Sequence, residues 1–134
     1  IQEFKNYFRK KFFKNKLDLH KRFECELKLS NISVRLYHEI QKFSPFGMGN
    51  PKPKFLIKNC FITNLRLVGE KHYTFLATDT FGNKLKAISF NSLGNPLGDI
   101  IETKSEVKSI IVSLLLNAWA GEEKVELLIE DITV

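Results

Sequence analysis

The sequence has few of the features that mark secreted or membrane proteins. Its 134 residues include only two cysteines, Cys25 and Cys60, each within a patterned segment. That usage is typical of buried free thiols in a reducing cytoplasm, not of a disulfide framework. No apolar run approaches the roughly 20 residues that a membrane-spanning helix needs, and no signal-peptide pattern occurs. We therefore expect a cytoplasmic protein with no membrane partner.

The sequence also lacks a catalytic constellation. The three histidines His20, His38 and His72 have no second metal ligand at helical or hairpin spacing. Near the C-terminus, Glu126 and Glu130 alternate with apolar residues, which predicts an exposed acidic face on a strand. A two-metal nuclease needs several carboxylates or histidines in one pocket. We expect neither catalysis nor a metal or cofactor site within this chain.

The composition favours a globular domain with an uneven charge distribution. Hydrophobic residues make up 43% of the chain and aromatic residues 12%, enough for a packed core. The net charge is +6, but residues 1–60 hold 14 Lys and Arg against five acids, and residues 61–134 hold seven against ten. A basic face suggests a polyanion such as nucleic acid. The alternative is the solvated face of a Lys-rich helix, and charge alone leaves both open.

The N-terminal third predicts a helix, a strand and a second helix. Residues 1–14 place aromatic residues at helical spacing, with Lys and Arg on the other face, and residues 23–29 alternate as a half-buried strand. Ser30 or Asn31 is then expected to cap a short helix. Its apolar stripe comprises Ile32, Leu36, Ile40 and Phe43. We interpret residues 1–50 as the end of an α/β domain.

Proline and glycine are concentrated in the run "FSPFGMGNPKPKF", residues 43–55, which holds three of the four prolines. We expect Pro45 to stop the helix, Gly47 and Gly49 to permit positive φ, and Pro51 and Pro53 to stiffen the entry to the next strand. The run lacks the third glycine and the following helix of a dinucleotide-binding loop. A rigid joint is therefore favoured over direct ligand contact.

Residues 51–134 predict a mainly β domain with the strand order of an OB fold. The five predicted strands cover residues 55–68, 72–79, 84–91, 107–118 and 124–134, with one helix-sized gap between the third and fourth. An OB barrel has this order. A ferredoxin-like fold would need a helix between the first two strands, where only three residues are available.

Three stretches resemble RecJ-type single-stranded-DNA exonucleases. "EIQKFSPFGMGNPKPKF" resembles the family's Pro-Phe-Gly-x-Gly-Asn-Pro-x-Pro junction between the DHH-associated and OB-fold domains. "LNAWAGEEKVELLIEDI" is similar to the family's last hairpin, and "RFECELKLSNISVRLYHEI" to the closing strand and helix of the DHH-associated domain. The resemblance covers essentially the whole chain. It implies an inter-domain joint formed by Pro45, Phe46, Gly47, Gly49, Asn50, Pro51 and Pro53.

The resemblance implies that the full-length protein is a bacterial 5′-to-3′ exonuclease acting in DNA repair and recombination. Manganese or magnesium is expected in an N-terminal DHH domain, but no Asp-His-His run and no Gly-Gly-His motif occurs in this chain. The chain begins with Ile and not Met. We therefore expect it to be the C-terminal part of such an enzyme, without the catalytic domain and without a cofactor of its own.

OB folds bind single strands with a basic groove, stacked aromatic side chains and flanking loops. Phe75 and Phe90 are expected in the barrel core, whereas Trp119 either stacks on a base or packs over the barrel end or a neighbouring domain. The net acidic OB half argues against tight binding by this domain alone. The candidate DNA-binding residues are Arg66, Lys71, His72, Tyr73, Lys84, Lys86 and Trp119.

Two functions are consistent with this pattern. In the first, the barrel captures single-stranded DNA and feeds it to the enzyme's own DHH domain. In the second, the barrel is a scaffold that docks on the catalytic domains or receives a single-strand-binding protein, with little DNA affinity of its own. We adopt the first because of the basic turn and the hairpin with Trp119.

Overall fold

The computed structural model describes residues 23–134, so the helix predicted over residues 1–14 lies outside the described residues. A short 3-10 turn at Leu29–Asn31 follows the first strand. The remaining elements, in chain order, are β1 (Cys25–Glu26), α1 (Val34–Gln41), β2 (Phe55–Val68), β3 (His72–Thr78), β4 (Lys84–Ser89), α2 (Pro96–Thr103), β5 (Glu106–Trp119) and β6 (Glu122–Thr133).

The last five strands close into the predicted OB barrel. Their order is β2–β3–β4–β6–β5, and β5 pairs back onto β2 to close it. All barrel pairs are antiparallel except β4–β6, in which Ala87 lies opposite Leu127 in a parallel pair. The predicted helix between the third and fourth barrel strands is confirmed as α2.

The barrel interior is filled by apolar side chains from alternate strand positions. Strand pairing places Phe75 opposite Ala87, Ala87 opposite Leu127, and Leu127 opposite Leu114. All four are buried. Large side chains beside the small Ala87 fill the interior of a narrow barrel without leaving a channel.

The segment before the barrel extends the same sheet and shares its core. β1 runs parallel to the start of β2, where the Leu27 N–H donates to the Leu56 carbonyl at 2.8 Å. Cys25, Leu27 and Leu29 alternate inward as predicted, but the strand is shorter because the chain turns at Leu29–Asn31. The buried side of this segment belongs to the same apolar cluster as the barrel. The domain boundary at residue 50 stays a prediction.

The predicted cap of α1 was wrong. Ser33, and not Ser30 or Asn31, caps the helix, since its Oγ accepts from the Leu36 N–H at 3.1 Å. Asn31 closes the preceding turn instead, where its Oδ1 accepts from the Lys28 N–H at 2.9 Å. The predicted stripe is otherwise present, and α1 packs against β5 and β6.

The Pro/Gly run forms a compact turn closed by Asn50. The Asn50 Nδ2 donates to the carbonyls of Phe43 and Pro45 at 2.7 and 2.8 Å, and Gly47 and Asn50 exchange backbone hydrogen bonds. Neither Gly47 nor Gly49 has positive φ, so that expectation was wrong. The turn depends on the Asn50 amide, while the fully buried Pro53 anchors its exit in the core.

Cys60 is expected to be unreactive in the folded protein. Its side chain is 1% exposed, and burial, with a smaller contribution from the Asp79 carboxylate, raises the thiol pKa from 9.0 to about 11. The unfolded chain releases this proton at lower pH, so the free energy of unfolding should decline as pH rises from about 9 to about 11. We expect slow labelling by a disulfide reagent at pH 8 and rapid labelling in urea. Fast native labelling of Cys60 would contradict the packing described.

Candidate nucleic-acid interface

An open groove of about 440 Å³ lies on the outer face of β3 and β4 and the distal half of β2. Its side chains come from alternate positions, because successive residues of a strand point to opposite faces. The polar lining consists of Asn64, Arg66, His72, Thr74 and Lys86. The apolar lining includes Val68, Leu76, Ile88 and Phe90.

The groove has one cation on each side. Arg66 lies opposite Thr74 in the β2–β3 pair, and Lys86 lies opposite Leu76 in the β3–β4 pair. Because neighbouring strands lie about 4.8 Å apart and the two positions are offset by two residues along β3, the backbones at Arg66 and Lys86 are separated by roughly 12 Å. An elongated anion between them would meet positive charge from both sides and an uncharged floor along β3.

One end of the groove is closed by an aromatic pair. The rings of His72 and Phe90 meet edge to face, with centroids 5.2 Å apart and an interplanar angle of 83°. The Asn91 N–H donates to His72 Nδ1 at 2.9 Å, which leaves the proton of a neutral imidazole on Nε2. The Leu93 N–H donates to the Lys71 carbonyl at 3.2 Å. These bonds tie the loop after β4 to the β2–β3 turn.

The structure brings some of the predicted site residues together. Arg66, His72 and Lys86 line the groove, and Lys84 is exposed two positions before Lys86 on the same face of β4. Lys71 is exposed in the β2–β3 turn. Trp119 is 81% exposed at the end of β5, so it does not pack over the barrel.

Tyr73 and Phe90 lie on the sides opposite to those expected. Tyr73 is 5% exposed and points inward, where its hydroxyl donates to Glu102 of α2, so it does not line the groove. Phe90, expected in the core, is 51% exposed. Successive side chains of β4 point to opposite faces, and Phe90 is an even number of residues from Lys84 and Lys86. It therefore lies on their outer face. Phe75 is buried in the core as predicted.

Sequence reasoning missed several groove residues and misjudged one acid. Thr74, Leu76 and Ile88 share the outward parity of His72 and Lys86, so the alternation alone could have identified them. Glu126, predicted on an exposed face, is only 7% exposed, and its Oε2 accepts from Asn117 Nδ2 at 3.2 Å.

Within residues 23–134, no group of three or more His, Cys, Asp or Glu side chains could hold a metal ion. No helix in this part of the chain is both long enough and apolar enough to cross a bilayer. The groove lining carries the cations Arg66 and Lys86, whose positive charge suits an anion.

Comparison with known proteins assigns the barrel. A model of the RecJ OB domain matches residues 23–131, which include β1 and α1. The chain belongs to the RecJ OB-domain family. It is 30% identical over 107 residues to the single-stranded-DNA-specific exonuclease RecJ of Bacillus subtilis (strain 168), a match that covers 79% of this chain and 13% of that protein. This RecJ OB domain thus spans about an eighth of the curated relative's length.

Two solved structures share the fold of this RecJ OB domain. The structure of RecJ from Thermus thermophilus in complex with Mg²⁺ superposes with a TM-score of 0.63 at 22% identity, covering 84% of this chain and 16% of that one. The complex of RecJ from the same organism with Mn²⁺ gives a TM-score of 0.56 at 24% identity, covering 75% and 14%. At these identities the likeness establishes the barrel architecture.

Proposed function

We propose that the groove binds single-stranded DNA and that this chain is the strand-capturing module of a RecJ-type exonuclease. The observation that supports it is the position of Arg66 and Lys86 on opposite sides of a partly apolar groove. This groove lies on the face that OB folds use for oligonucleotides. The longer enzyme would carry manganese or magnesium in its DHH domain and degrade DNA from the 5′ end during repair and recombination.

The chemistry of the groove matches unpaired nucleotides. Arg66 and Lys86 would contact phosphates, and the half-exposed Phe90 offers a ring surface to a base. In a duplex the bases are already stacked and paired, so neither the ring nor the apolar floor gains a partner. We therefore infer a preference for single strands over duplex.

This function is tested by a fluorescence-anisotropy titration of the 134-residue chain with a labelled single strand of about 20 nucleotides, at low and moderate salt. An OB domain occupies about 4–16 nucleotides, so that length offers a complete site. Salt-dependent binding with a weaker response to a matched duplex is expected. Equal affinity for duplex, or no binding at low salt, would contradict the proposal.

Replacing Phe90 with alanine should weaken single-strand binding about fivefold, the lower end of the ~1–3 kcal/mol measured for base–aromatic stacking. The lower end applies because half of the ring is covered, and His72 accounts for one side of that contact. Anisotropy titration of Phe90→Ala beside Phe90→Tyr checks this. Tyrosine keeps the ring and should restore binding, whereas equal losses in both variants would exclude stacking.

A second candidate function is docking on the catalytic domains or on a single-strand-binding protein. One feature favours it: Leu65 and Leu67 are exposed on the distal half of β2, on the side of the strand opposite Arg66. A Leu67→Ser variant should then leave the affinity of this chain for single strands unchanged while weakening its association with the rest of the enzyme. Unchanged association would exclude a docking role for this surface.

A further inference from the structure

Two exposed aromatic side chains lie outside the groove, at the tips of two hairpins. Phe81 is 86% exposed in the turn between β3 and β4, and Trp119 is 81% exposed where β5 turns into β6. Neither side chain supports the core. Exposed aromatic side chains on structured turns offer ring faces on which the bases of a single strand can stack.

The turn that carries Phe81 is held by the Asp79 carboxylate. Asp79 Oδ1 accepts from the Phe81 and Asn83 N–H groups, both at 2.9 Å, and Oδ2 accepts from Asn83 Nδ2 at 2.8 Å. These hydrogen bonds, led by the one from the Asn83 side chain, lower the pKa of Asp79. The ring therefore projects from a turn with a fixed backbone.

The turn that carries Trp119 is equally constrained. Trp119 pairs with Glu122 across a two-residue connection in which Ala120 and Gly121 have φ of 53° and 82°. Positive φ at both central residues defines the tight hairpin turn that matches the twist of the flanking strands. Binding at either tip would order little additional backbone, which favours affinity.

The two tips lie at the same end of the barrel. β4 and β6 are parallel, with Ala87 opposite Leu127, so the starts of both strands lie at one end. Phe81 precedes β4 and Trp119 precedes β6. The end of β4 leads to Phe90 and the closed end of the groove, so β4 connects the two aromatic locations.

We propose that Phe81 and Trp119 form a second stacking site for the same single strand that the groove binds. This inference rests on the proposed function and adds a path for the DNA. The single-stranded DNA runs along β4 from Phe90, past Lys86 and Lys84, to the two hairpin tips. The exposed Lys84 and Lys86 are separated by about 6.6 Å along the strand, because each residue rises about 3.3 Å.

The length of β4 sets the length of DNA required. Its six residues span roughly 20 Å, or on the order of six nucleotides at about 3.4 Å each if the bases stay stacked. A strand of about four nucleotides would fill the groove alone. A strand of about 12 would reach the tips, within the range that OB folds occupy.

The charges near the tips favour bases over phosphates there. Glu122 and Glu123 follow Trp119, and Glu123 lies 3.5 Å from His38 Nε2 on α1. The Asp79 carboxylate already accepts hydrogen bonds from Phe81 and Asn83 within its own turn. Base stacking needs no cation, so phosphate contacts are expected at Lys84 and Lys86 and uncharged contacts at the two rings.

The test uses Trp119, the chain's only tryptophan, as an intrinsic probe. The 134-residue chain is titrated with labelled oligothymidines of about four and about 12 nucleotides, lengths chosen from the OB site size. We expect the longer strand to quench Trp119 fluorescence. Phe81→Ala and Trp119→Ala should each lower the affinity for the longer oligothymidine roughly fivefold or more and leave the affinity for the shorter one unchanged. Val134→Ala, which removes an exposed apolar side chain just beyond the end of β6 that is far from Trp119, is the matched control and should change neither.

Two outcomes overturn the inference and distinguish it from the proposed function. In the first, Arg66→Ala and Lys86→Ala lower the affinity for both oligothymidines, but Phe81→Ala and Trp119→Ala lower neither. The groove then binds DNA and the tips do not. If the tip variants bind DNA normally but associate less with the rest of the enzyme, the tips bind protein. Quenching by the longer strand that survives Arg66→Ala and Lys86→Ala would instead refute the groove as the primary site.

Discussion

Replacing Gly98 with alanine is expected to lower the free energy of unfolding by at least about 1–3 kcal/mol, the cost of forcing extra atoms into a packed site. A Cβ at this position would lie 1.8 Å from the Ser92 carbonyl oxygen and 2.7 Å from its carbon. Both are backbone atoms, and the adjacent Ser92 hydroxyl donates to the Ser89 carbonyl at 2.9 Å. The backbone cannot accommodate the added methyl group unless α2 moves away from the barrel. Urea denaturation followed by circular dichroism measures the change.

Gly49→Ala is the matched control for this substitution. A Cβ at Gly49 would meet no atom within 4 Å, and its φ is not positive. Alanine there should be neutral or stabilise by about 0.4–1 kcal/mol, because it restricts the unfolded chain. A Gly98→Ala protein as stable as Gly49→Ala would show that α2 does not pack on Ser92 as described.

Removing both groove cations should give the largest loss of DNA affinity. Hydrogen bonds to charged groups contribute about 1.5–3 kcal/mol each, so Arg66→Ala with Lys86→Ala should weaken single-strand binding on the order of 100-fold at low salt. Each phosphate contact with a single strand contributes about 0.7 to the slope of log K against log salt. The double variant should therefore lose about 1.4 from that slope, measured by anisotropy across a salt series.

Lys58→Ala separates this effect from a general loss of charge. Lys58 lies on the proximal half of β2, where its Nζ is 3.5 Å from Glu26 Oε2, and it does not line the groove. Lys58→Ala removes one positive charge, as Lys86→Ala does, but should leave the slope of log K against log salt unchanged. Equal slope changes in Lys58→Ala and Lys86→Ala would mean that DNA is attracted by the overall charge of the chain.

The barrel could be predicted because its strands carry strong local signals. The alternation of β2 and β3, the turns at Gly69 and Gly82, and the breaker-rich segment before α2 each determine structure within a few residues. Part of the groove followed from the same alternation. Phe90 was wrongly expected in the core because its hydrophobicity was given more weight than its position in the strand. It is four residues after Lys86, so strand alternation places both side chains on the same outer face.

The remaining features depend on contacts between distant segments. Glu126 is buried, and the Asn117 side chain of β5 donates to one of its oxygens. Periodicity within β6 carries no information about that partner. Tyr73 lies on the same inward side of β3 as Phe75, which alternation already indicates, but the partner of its hydroxyl, Glu102 of α2, is 29 residues away in the sequence. Tertiary packing overrides local preference at such positions.

Mapping of backbone amide shifts by NMR, as a single-stranded oligothymidine of about 12 nucleotides is added to the 134-residue chain, tests the central claim most directly. The account predicts that the largest shifts fall on the residues around Arg66, Thr74 and Lys86, with Lys58 unaffected. Shifts concentrated on α1 or β1, with the groove unchanged, would contradict it.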